Sequence, residues 1–165
     1  MKKLGKSTKK GFTLVELIVV LVILAVLAAM LVPALVGYID RARAEKEYQT
    51  AATIYGAAQA AITEKYAKDT TLAAGSLTKT TATYGPMVIS LAGVDTNAIT
   101  SFQFNYGSDY IIGSATTAEG ATAATKITET GAPENCYGKV EMANATYYLS
   151  LSNGVPSWTA VKKTA

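Results

Sequence analysis

A chain of 165 residues of which 50% are apolar has room for one folded domain and an appendage, and that apolar fraction excludes an intrinsically disordered polypeptide. It has no histidine and a single cysteine, Cys136, which together exclude an internal disulfide, a Cys/His zinc site and the commonest general base. The net charge of +3 sits at one end: Lys2, Lys3, Lys6, Lys9 and Lys10 carry five positive charges, and without them the remainder stands at −2, which leaves no broad basic surface for nucleic acid.

After the lysines, Phe12 to Val36 is interrupted only by Thr13, Glu16 and Pro33. As a helix this stretch spans about 37 Å, enough to cross a hydrocarbon core of about 30 Å. An ordinary secretory signal has a shorter apolar stretch, roughly 7 to 15 residues, so a retained membrane helix is expected. Basic residues precede it, whereas Asp40 to Glu47 is nearly balanced in charge, so the start is expected in the cytoplasm and the rest outside.

Glu16 is the anomaly in this segment, because an acidic residue at a membrane-helix centre costs on the order of 3 kcal/mol. Its place near the helix start softens the cost, since the backbone dipole there favours an anion by about 0.3 to 1 kcal/mol. Cleavage between Gly11 and Phe12 would go further. It would create a cationic α-amine about one helical turn from the carboxylate and remove every upstream lysine. Deeper in the segment, Pro33 cannot donate to the Ala29 carbonyl and its ring crowds that turn, so with Gly37 it predicts a kink or local melting near 29–33.

Beyond Gly37 the helix is expected to continue. Tyr48, Ala51, Ala52, Tyr55, Ala58, Ile62 and Tyr66 recur at spacings of three and four and form one apolar stripe, ended by Asp69-Thr70-Thr71 and Gly75. The period then alternates. "MVISL" from Met87, "ITSFQFNY" from Ile99, "YIIG" from Tyr110, "KVEMA" from Lys139, "TYYLSLS" from Thr146 and "SWTAV" from Ser157 read as strands, with Phe102, Phe104 and Tyr106 on one face. Gly107-Ser108, Asn144-Ala145 and Asn153-Gly154 read as turns, and Ser114 to Lys126 as a loop or weak strand. The expected fold is α+β: a long hydrophobic helix over about 12–68, kinked near Pro33, forming the spine of a small head with an antiparallel sheet of about four strands.

Lys10-Gly11-Phe12-Thr13-Leu14-Val15-Glu16, followed by the apolar helix with Pro33 inside it, resembles the class III signal of type IV pilins and of their pseudopilin relatives in type II secretion and competence. The likeness covers about Lys9 to Arg43. It implies cleavage after Gly11 by a prepilin peptidase, N-methylation of Phe12, and pairing of Glu16 with the amine of a neighbouring subunit during assembly. The organisation it implies is a leader at 1–11, a membrane and filament-core helix at 12–37, an amphipathic continuation at 38–69 and a head at 70–165. The implied partners are further copies of the chain in a helical filament, the prepilin peptidase, the assembly platform and, before assembly, the cytoplasmic membrane. The implied function is that of a type IV pilus subunit in surface attachment or motility, the rivals being a secretion or competence pseudopilin and a minor pilin acting as adhesin or DNA-binding module.

Catalysis has no foundation in the sequence: the carboxylates are scattered, no nucleophile has a histidine to activate it, and neither a cofactor nor a metal is expected. Cys136 is expected to be a buried, inert thiol, and Asn144-Ala145-Thr146, though it fits a glycosylation sequon, is read as a turn. The absence of a cysteine pair departs from the many pilins that staple a C-terminal loop.

Overall fold

The computed structural model describes residues 11–69, 73–114 and 122–163. The first element is helix α1, Leu14–Lys68, which runs through Pro33 without interruption, so the local melting expected at 29–33 is not seen. Strand β1 (Gly75–Thr78), helix α2 (Tyr84–Ala92), a short 3-10 turn (Thr96–Ala98), and strands β2 (Ile99–Tyr106), β3 (Cys136–Met142), β4 (Ala145–Ser152) and β5 (Val155–Lys162) follow. The strands form a five-stranded antiparallel meander in the order β1-β2-β3-β4-β5.

The chain divides into two compact units, Met1–Ala44 and Glu45–Ala165. In the second, α1 lies on the sheet through Ala51, Ile54, Ala57, Ala58, Ala61 and Ile62, all buried. This stripe is rotated from the expected one. Tyr48 and Tyr66 are 43% and 52% exposed, because four small alanines let the helix backbone approach the sheet and the tyrosines are left at its flanks. Tyr55 lies 6.1 Å from the Phe104 ring, and Tyr66 lies 5.3 Å from the Tyr110 ring. Phe102, Phe104 and Tyr106 are buried as the alternation of β2 requires. With Val140, Met142, Tyr147 and Leu149 they complete the core, and burial of each large side chain contributes about 1.5 to 3 kcal/mol.

Two expected strands are not strands. "MVISL" lies in α2, since a short, mostly apolar segment of five residues fits a helix turn as well as a strand. Gly85 decides its seat: a Cβ there would meet the Lys79 and Thr78 carbonyl oxygens at 2.4 and 2.7 Å, so only glycine lets the helix rest on the end of β1. Gly93, left-handed at φ 61°, ends α2. "YIIG" makes only an isolated bridge, Tyr106 to Ile112, because the backbone it would offer a neighbouring strand is taken by a side chain. Gln59 Nε2 donates to the Tyr110 carbonyl at 3.1 Å and its Oε1 accepts from Ile112 N–H at 3.2 Å. Conversely, β1 arises at Gly75–Thr78, where the sequence suggested only the end of a helix.

β2 stands where alternation placed it, whereas β3, β4 and β5 begin three, one and two residues earlier than expected, so that Ala145 lies in β4 rather than in the turn. β4 and β5 join through Asn153-Gly154 with positive φ at both residues (52° and 78°), the signature of a type I′ turn. Of the expected loop from Ser114 to Lys126, residues 115–121 lie outside the described residues, and 122–126 have no regular structure.

Candidate functional site

Gly11, Phe12 and Thr13 precede α1 and are exposed, Phe12 at 84%. Thr13 then starts the helix by capping it. Its backbone N–H and its hydroxyl both donate to Glu16 Oε2, at 2.9 and 2.7 Å, while the Glu16 N–H donates to Thr13 Oγ1 at 3.2 Å. This is a capping box, in which N-cap threonine and the glutamate three residues on satisfy each other's otherwise orphaned donors. Its pattern, threonine and then glutamate at the third position before an apolar run, was readable in the sequence. Treating Glu16 only as a charge overlooked Thr13. In the chain alone the carboxylate thus has a local partner, and its second oxygen, Oε1, makes no hydrogen bond among the described residues.

From Leu14 to Ile39 every large apolar side chain of α1 is between 39% and 74% exposed. The helix is long and apolar enough to cross a membrane, and none of its most apolar stretch is buried inside the chain. A surface of this extent on one element marks a membrane or protein interface. Pro33 lies inside the helix, and a Cβ added at Gly37 would meet nothing within 4 Å, so no contact within the chain demands glycine at that position.

The head offers structural polar groups. Glu47, near the start of the second unit, accepts from Asn144 Nδ2 at 2.7 Å and from the Tyr147 hydroxyl at 3.3 Å, tying α1 to the turn between β3 and β4. Burial, followed by the nearby Glu47 charge, pushes the Tyr147 phenol up to about 12. Lys139 bridges Glu129 and Glu141, each at 3.1 Å. Burial alone would raise the Glu141 carboxyl, but hydrogen bonds from Lys139 and Ser101 and the Lys139 charge outweigh it and hold the carboxyl below its ordinary range. At the end of α1, Lys65 pairs with Asp69 at 2.9 Å and lies 4.9 Å from the Tyr110 ring centroid. Asn144 of the sequon is exposed and engaged with Glu47, and Cys136 is fully buried, its thiol donating to the Gly138 carbonyl at 3.3 Å. Burial raises the Cys136 thiol pKa, which suits an inert side chain. Among the described residues no three His, Cys, Asp or Glu side chains gather into a metal-binding group.

Residues 6–32 match the family described as Prokaryotic N-terminal methylation motif. No curated protein and no solved structure matches the chain. The matched residues are the class III prepilin signal found in type IV pilins and pseudopilins. That signal implies processing by a prepilin peptidase and assembly into a pilus-like filament, with membrane anchoring beforehand.

Proposed function

We propose that this chain is a structural subunit of a type IV pilus, held in the cytoplasmic membrane with its head outside until the peptidase cuts after Gly11 and Phe12 is N-methylated. The subunits then polymerise through residues 12–37 into a filament serving surface attachment and twitching motility. The observation that carries this reading is the contrast along α1. The large apolar side chains of 14–39 are all solvent-exposed, whereas the described core begins at Ala51, so the first segment has a surface to bury and nothing among the described residues that buries it.

Glu16 is the group that senses correct stacking. A carboxylate in a packed apolar filament core is stable only beside an opposite charge, and the Phe12 amine of a neighbouring subunit supplies one to the oxygen that Thr13 leaves open. Pro33 and Gly37 form a point where the helix bends or extends under load.

The test is to shear filaments from the cell surface, image them and determine the mass of their subunit. Long filaments whose subunit begins at methylated Phe12 are expected. A subunit that keeps its lysines, or a chain found in no polymer, overturns the proposal. Only short envelope-bound fibres that support protein export or DNA uptake would make the chain a pseudopilin instead.

A further inference from the structure

A cavity of about 510 Å³ opens in the head where the turn between β4 and β5 meets the 111–114 segment and the start of β3. Its wall includes the side chains of Tyr55, Tyr137, Asn135, Asn153, Ile111 and Leu151, and no residue of the wall is charged. The volume lies in the range of small-molecule sites, roughly 300 to 1,000 Å³.

Three further features distinguish it from an accidental gap. The backbone around it is held in unusual conformations, with Asn135 and Asn153 left-handed at φ 56° and 52° beside Gly113 at 70° and Gly154 at 78°. Such residues gather at ligand clamps as well as at turns. Gly113 keeps the floor tight, because a Cβ there would meet Leu151 Cδ1 at 2.7 Å and the Tyr137 ring at 3.0 Å. Finally, the hydroxyls of Tyr55 and Tyr137 and the solvent-exposed carboxamides of Asn135 and Asn153 make no side-chain hydrogen bond among the described residues, which leaves them open to a ligand at the rim. The half-buried Tyr55 ring, the Tyr137 phenol at the floor, two carboxamides, an aliphatic rim and no charge make a surface that matches a polyhydroxylated ring: an apolar C–H face stacks on Tyr55, and neutral donors and acceptors meet the hydroxyls. An anionic or cationic ligand would find no counter-charge in the wall.

From this arrangement we propose that the cavity is a binding site for a neutral saccharide, either a free sugar or the end of a polysaccharide chain. The inference does not depend on which filament system the chain serves, since every residue of the site belongs to the second compact unit, Glu45–Ala165.

Trp158 is the chain's single tryptophan and packs edge-on against Tyr55, ring centroids 6.3 Å apart, so its fluorescence reports on the site. The detergent-solubilised full chain is titrated with cellobiose, chitobiose and, as a charged control, sialyllactose, and is sedimented with insoluble cellulose and chitin. A saturable fluorescence change with a neutral disaccharide, or co-sedimentation with a neutral polymer, is expected; the first arm identifies a free-sugar site and the second a chain-end site. Asn153→Gly, which suits the left-handed turn, and Tyr55→Phe, which keeps the ring, should each weaken binding about fivefold, the loss of one hydrogen bond. Overturning outcomes are no response to any neutral sugar or polymer, preference for sialyllactose, or binding that both variants leave unchanged while their thermal unfolding matches that of the parent.

Discussion

At the scale of single residues the chain turns on three acids, Glu16, Glu47 and Glu141, that are each held by a short polar network. Thr13 presents two donors to one oxygen of Glu16 and leaves the other open, so threonine and glutamate act as a unit at the helix start. Glu16→Ala with Phe12 retained is expected to leave the protein membrane-inserted and cleaved but to abolish filaments, scored by shearing and electron microscopy; filaments at normal yield would show that the charge is dispensable. Thr13→Val should weaken the helix start by about 1 kcal/mol through loss of the cap, with Thr13→Ser restoring it, measurable as amide exchange over residues 14–17. In the head, Tyr147 donates to Glu47, and its raised pKa has a definite sign in stability. The folded state holds the phenol proton more tightly than the unfolded chain, whose ordinary value is 10.0, so stability is complete below pH 10 and is lost as pH rises towards about 12. Tyr147→Phe should cost about 1 kcal/mol at neutral pH and flatten that alkaline loss, both read from denaturant melts across pH. Glu141 has the opposite sign. Its depressed carboxyl contributes stability above its ordinary range, and that contribution is lost on acidification through the folded-state value.

At the scale of elements, Gly85→Ala tests the seat of α2. The new methyl would press into the Lys79 and Thr78 carbonyls, and a loss of about 1 to 3 kcal/mol is expected in thermal melts. Gly154→Ala tests the β4–β5 turn differently: the space is open but φ is 78°, so about 1 to 2 kcal/mol of backbone strain is expected without a steric clash. These elements also show what the sequence could carry. The membrane helix, β2 through β5 and the Asn153-Gly154 turn were legible because period, length and turn chemistry all pointed one way. The α2 segment was not, since Met87-Val88-Ile89-Ser90-Leu91 is too short to separate a helical from an alternating period. The 110–113 segment was not, because the group that satisfies its backbone is a glutamine more than fifty residues earlier in the chain. At the candidate assembly site the signal was readable as a motif from Gly11 to Glu16, with Thr13 missed only for want of the capping pattern. The cavity in the head was invisible, since its walls come from α1, the 111–114 segment, β3 and the β4–β5 turn, and no linear motif joins them.

At the scale of the whole chain, the two compact units divide between Ala44 and Glu45, and the described core residues all lie in the second, beginning at Ala51. A polypeptide begun at Glu45 should therefore unfold cooperatively with nearly the melting temperature of the detergent-solubilised full chain, monitored by Trp158 fluorescence; a non-cooperative or strongly lowered transition would show that the first segment supports the head.

The bare apolar flank of α1 has a thermodynamic corollary. Lipid tails and the helices of sister subunits are equally oily environments, so moving this flank from bilayer to polymer gains little from the exclusion of water. The direction of that traffic must then be set by fit and by the few polar groups near its tip. A filament made this way would draw its cohesion from close helix contact rather than from escape from water.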